Sequence, residues 1–110
     1  MKTKFRKPNR KHESLLKHAN DEIIRLEGNL NYTCFVFKTG RKEMMAYTIG
    51  VYNKVLPDNF LRVSKSFIIN TKYVKDIDQT DKKITMTDKM VLQVSRRRWD
   101  SFCLKNSEIQ

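Results

Sequence analysis

Three consecutive arginines, Arg96, Arg97 and Arg98, follow Ser95 and precede Trp99, Phe102 and Cys103. The apolar residues recur at i, i+3 and i+4, so the segment reads as a helix with Ser95 as its N-cap, anchored by Trp99. Guanidinium groups in a first helical turn add positive charge to an end whose dipole is already positive, and helix stability alone would place acids there. An anion relieves that repulsion. Backbone N–H groups at a helix N-terminus suit phosphate oxygens, and arginine can also contact O6 and N7 of a guanine edge with two hydrogen bonds.

Two further segments carry groups of similar use. Arg62 to Ser66, RVSKS, lies between apolar stretches. Phe60 and Phe67 can enter a core there, while Arg62, Ser64, Lys65 and Ser66 project outward or form a tight loop of phosphate-binding character. Edge strands also carry lysine merely to discourage aggregation, so this segment alone is weakly diagnostic. Gly28 to Asn31 is a four-residue connection with two asparagines, which by itself reads as an ordinary turn.

Other chemistry finds little support. Carboxylates are scattered, and His12 and His18 lie six residues apart near the chain start, which matches no metal-binding spacing. Cys34 and Cys103 have no C-x-x-C pairing and read as two buried free thiols. Ser95 has a plain capping role. With only three glycines, the chain has no Gly-rich phosphate loop. These features exclude most catalytic classes and predict no metal, no cofactor and no enzyme activity.

The elements that must hold these groups are mostly strands. Short runs rich in β-branched and aromatic residues span Ile23 to Glu27, Tyr32 to Lys38, Glu43 to Tyr47, Leu61 to Val63, Phe67 to Ile69, Tyr73 to Gln79, Lys83 to Thr87 and Met90 to Val94. The loops GNLN, KTGRK, NTK, QTDK and TDK have turn chemistry and hairpin length. In the Tyr32 run both alternate sets are apolar or neutral, which predicts a strand covered on both sides. Thr48 to Leu56 predicts a short helix with a Thr48 cap, ended by Pro57.

Length and charge bound the rest. The 110 residues hold one compact domain, and 23 Lys and Arg against 12 Asp and Glu give a formal charge of +11. Net +6 of this lies in residues 1–18 and net +5 in the remainder. Residues 1–20 read as a basic flexible arm, with one or two helical turns at His12 to Ala19; 21–105 read as the domain and 106–110 as a tail. No apolar run is long enough for a membrane span or signal peptide, so the expectation is a cytoplasmic protein without membrane insertion. Such charge favours a polyanion, nucleic acid first.

The segments EGNLNYT at Glu27 to Thr33, FLRVSKSFIINTKYVKDI at Phe60 to Ile77 and VSRRR at Val94 to Arg98 together resemble the LytTR family of bacterial DNA-binding domains. The resemblance covers about Asp21 to Leu104. It implies a mostly β fold of small antiparallel sheets packed side by side with one or two short helices. It also implies a transcription regulator that reads direct repeats in a promoter, with loop side chains in successive major grooves and a second copy on the adjacent repeat. Base-reading positions would be Asn31 or Tyr32, Lys65, and Arg97 before the final helix. Ser66, Arg96 and Arg98 would be backbone or flanking contacts, and Asn70 would tie a turn together.

This chain departs from the family pattern at two places. The motif's His-Arg-Ser is here Ser64, Lys65 and Ser66, and its Tyr after Ser-Arg-Arg is Arg98. Lysine lacks the planar two-pronged fork of arginine, so the second loop should discriminate bases less sharply. Many relatives carry a phosphoacceptor receiver domain ahead of this one, and the expectation is a stand-alone regulator without it. The alternative is an interaction module whose basic surface docks an acidic regulatory protein. RNA binding is weaker, because the aromatics form no stacking platform.

Overall fold

A computed structural model describes residues 20–109, with side chains for 21–104. The expected basic arm, its short helical segment, and His12 and His18 lie outside the described residues. Among the described residues, eight strands form two antiparallel sheets. The first sheet contains β1 (Ile23–Asn29), β2 (Tyr32–Phe37), β3 (Lys42–Met45), β4 (Phe60–Ser64) and β5 (Phe67–Asn70), in the order β3-β2-β1-β5-β4. The second contains β6 (Val74–Asp78), β7 (Lys83–Met86) and β8 (Val91–Gln93), paired in sequence order. Helix α1 is Ile49–Asn53 and α2 is Arg96–Ile109.

Strand alternation divides the apolar residues between two cores. On one face of the larger sheet, Ile23, Leu26, Phe35, Phe37, Phe60 and Ile68 pack with Ile49 and Tyr52 of α1. On the other, Ile24, Val63 and Ile69 meet Ile84, Met86 and Leu92 of the smaller sheet, together with Val94 and Phe102. Strict alternation would put Ile23 and Leu26 on opposite faces. A bulge between Ile23 and Arg25 leaves Ile24 as an extra residue, so Ile23 and Leu26 share one core and Ile24 enters the other. A second bulge lies between Arg62 and Ser64, while Val63, two residues after Leu61, lies with it on the inter-sheet face by ordinary alternation.

Glycine at position 28 has a packing reason. A Cβ there would lie 3.1 Å from Ile49 Cγ2 and 3.2 Å from Ile49 Cβ, so α1 settles closely over β1 only because that hydrogen is small. Gly28→Ala is expected to cost about 1 kcal/mol of stability through overpacking, read as a lower urea midpoint with an unchanged slope.

Asn70 holds a junction, as the resemblance implied. Fully buried, its Oδ1 accepts from Asn59 Nδ2 at 2.9 Å and from the Lys72 amide at 3.0 Å, while its Nδ2 donates to the Ile23 carbonyl at 2.9 Å. One side chain thereby fixes the start of β1, the approach to β4 and the 3-10 turn Thr71–Tyr73 between the sheets.

Several local readings need correction. Thr48 occupies the N-cap position of α1 but its hydroxyl makes no capping bond. Ser95 Oγ is also buried without a partner among the described residues, and the Ser95 carbonyl instead accepts from the Arg98 amide at 3.0 Å. Helix α2 is anchored by Phe102, at 2 % exposure, with Trp99 only half-buried and stacked against it at 5.7 Å. Cys34 and Cys103 are free, as expected, but half-buried rather than buried.

Among the described residues, Arg25 is the one charged side chain buried in the interior. Its side chain is 5 % exposed and bonds two carboxylates at 2.7 Å, Glu27 through Nε and Asp88 through Nη1. Asp88 lies in the β7–β8 turn, so the guanidinium joins the two sheets. Burial acts to raise the Asp88 pKa, but the hydrogen bond and charge of Arg25 outweigh it and leave the carboxyl below its ordinary value. A depressed folded pKa gives stability that is complete above the unfolded value of about 3.9 and lost as pH falls through the folded one. The urea midpoint of the wild type should therefore exceed that of Asp88→Asn at pH 7. The gap should close below about pH 4, where acid neutralises the wild-type carboxyl.

Candidate nucleic-acid interface

Three segments singled out in the sequence meet at one end of the larger sheet. Because β1 and β5 are antiparallel with Glu27 opposite Phe67, the Leu30-Asn31 turn and the Lys65-Ser66 turn emerge side by side. The Gly28 amide donates to the Ser66 carbonyl at 2.7 Å and ties the two hairpins together. On the far side of the second hairpin, the Ser95 amide donates to the Val63 carbonyl at 2.7 Å, setting the first turn of α2 beside β4. The order across the sheet end is thus first turn, second turn, helix start.

Most of the residues expected to bind are available to solvent. Asn31, Tyr32, Lys65, Arg96 and Arg97 are exposed, while Ser66 and Arg98 are half-buried. Tyr32 is 52 % exposed and stands opposite Asn29 in the β1–β2 pair. Arg97 lies within the first turn of α2 rather than ahead of it. Among the described residues, none of Lys65, Arg96, Arg97 and Arg98 makes an ion pair. Their charge therefore faces outward uncompensated, the electrostatic character a polyanion requires.

Arg62 has a different use from the outward projection read in the sequence. Its guanidinium folds back onto the second turn, Nη2 donating to the Lys65 carbonyl at 2.6 Å and Nε to the Ser64 carbonyl at 3.3 Å. It holds the turn that presents Lys65. Burial and the positive charge of Arg98 both lower the Arg62 pKa. Sequence reasoning saw the Arg62 charge but missed this brace, because its acceptors are backbone carbonyls.

Leu30 was also missed. It is 92 % exposed, the largest exposure among the described large hydrophobic residues, and its φ of 57° lies in the left-handed region. The segment had read as ordinary turn chemistry carried by its asparagines. Among the described residues no group of His, Cys, Asp and Glu could hold a metal ion. Burial, with the charge of Glu27, raises the Cys34 thiol pKa, which disfavours the reactive thiolate.

Comparison with known families supplies the deciding observation, since the family model described as the LytTr DNA-binding domain matches residues 13–105. The chain belongs to this family. As a LytTr domain it is a DNA-binding domain of regulators, a family of binding proteins and not of enzymes. A solved LytTr DNA-binding domain of a methyl-accepting/DNA response regulator from Bacillus cereus has the same fold, with a TM-score of 0.69 at 22 % identity. That match covers 77 % of this chain and 81 % of the other. Comparison with curated proteins gives no match. The mostly β architecture of this LytTr domain agrees with the fold expected from its three motifs. No helix among the described residues is long and apolar enough to cross a membrane.

Proposed function

We propose that this LytTr domain is a sequence-specific transcription regulator, related to two-component systems, that docks the loop end of its larger sheet on duplex DNA. The observation that carries the reading is the junction of the Lys65-Ser66 turn with Arg96, Arg97 and Arg98 through the Ser95–Val63 backbone bond. That junction gathers unpaired cations beside two short turns small enough to enter a groove. Lys65, Arg97 and either Asn31 or Tyr32 read base edges in the major groove, and Ser66, Arg96 and Arg98 contact phosphates or flanking positions. Two copies on adjacent direct repeats account for recognition of a promoter without a stable dimer in solution. Residues 21–105 form the binding unit, and the charge of residues 1–20 adds sequence-independent affinity.

Phosphate contacts make such binding depend on salt in a calculable way. If about six phosphates are neutralised per copy, a plot of log K against log salt has a slope near −5. Fluorescence anisotropy on a labelled duplex from about 50 to 200 mM salt measures it. Arg96→Ala should bring the slope about one unit closer to zero and weaken all sequences alike, as expected of a phosphate contact. A slope near zero would remove the electrostatic basis of the reading.

A further inference from the structure

We infer that Leu30 reads a thymine, by packing its side chain against the C5-methyl group in the major groove. The inference rests on the proposal that this end of the sheet meets duplex DNA. Leu30 is 92 % exposed at the tip of the β1–β2 turn, and its φ of 57° is a conformation that leucine adopts reluctantly. Asparagine tolerates that conformation better, and asparagines stand on both sides, at 29 and 31. Neither local backbone preference nor core packing therefore accounts for a leucine here. What the position does provide is a rigid apolar tip: Asn29 pairs with Tyr32 to close the turn, and the Gly28–Ser66 backbone bond braces it against the second turn.

The surroundings point to one occupant. In the major groove the thymine methyl is the apolar mark that separates T·A from the other pairs, and an aliphatic side chain is its natural contact. Asn31, next to Leu30 and exposed, carries the amide that suits N6 and N7 of adenine, the partner base. The two residues together suit an A·T-containing step. Lys65 and the arginines beside this hairpin favour DNA over an apolar protein surface as the partner of the tip.

The test uses the full chain and the duplex enriched by selection from a randomised library. Each dT of that duplex is replaced in turn by dU, which removes only the methyl group. For the wild type, one replacement should weaken binding about fourfold, the value of one methyl removed from water. Leu30→Ala should bind the unmodified duplex more weakly by at least that factor and be indifferent to the same replacement, whereas Leu30→Met should retain the sensitivity. The position is exposed, so equal melting temperatures check that all three proteins are folded. A wild type indifferent to every replacement, or a penalty that persists in Leu30→Ala, would overturn the Leu30 assignment while DNA recognition stands. Failure to enrich any duplex would overturn both.

Discussion

Arg25→Ala is expected to destabilise the domain by about 3 kcal/mol, the largest effect of any single truncation considered. The guanidinium is almost wholly buried, yet both its carboxylate partners keep contact with solvent, at 26 % and 32 % exposure. Removing the cation leaves Glu27 and Asp88 near each other in a partly desolvated place, and it empties a volume between the sheets. Partial solvation of the acids keeps the loss toward the lower end of the range for broken buried pairs. Arg25→Lys should recover only part of it, because a single ammonium cannot span two carboxylates held by separate nitrogens. Chemical denaturation of the three proteins at pH 7 measures the series. An Arg25→Ala protein as stable as the wild type would show that apolar packing alone joins the sheets.

On the binding side, the largest expected loss follows Arg97→Ala. An exposed arginine in the first turn of α2, without an ion-pair partner among the described residues, has its fork free for a guanine edge. Truncation should cost about 1 to 3 kcal/mol on the best duplex, up to roughly a hundredfold in affinity, and relax the preference at one base pair. Lys65→Ala should cost less, since a lysine supplies charge without the two-pronged geometry. Parallel selections with wild type and Arg97→Ala separate base reading from general attraction. If Arg97→Ala weakens every sequence equally and leaves the preference unchanged, Arg97 is a phosphate contact.

Much of the fold was legible because strand alternation and turn chemistry are local signals. All eight runs rich in β-branched and aromatic residues became strands, and both helices formed where apolar spacing lengthened. What was not legible depended on partners distant in sequence. The run Ile23 to Leu26 gives no sign of a bulge, since the extra residue is defined only by the strand it pairs with. Arg25 looks like an ordinary outward residue until Asp88, 63 positions later, is brought against it. Trp99 seemed the natural anchor of its helix by size, but the sheet surface favours Phe102.

The candidate site divides in the same way. Its charges were visible as RVSKS and the arginine triplet, and the three-motif resemblance grouped them with Asn31 and Tyr32. Their convergence is a property of strand order: β1 between β2 and β5 places two turns together, and one backbone bond from Ser95 adds the helix. Leu30 escaped because exposed leucines are common and need no explanation until their conformation is known.

The central claim is that this end of the domain selects DNA by sequence, and selection from a randomised duplex library at physiological salt tests it most directly. Enrichment of a motif made of two spaced direct repeats is the predicted result. Retention on heparin and DNA alike, with no sequence enriched by a folded protein, would contradict it and move the basic surface to the docking of an acidic protein.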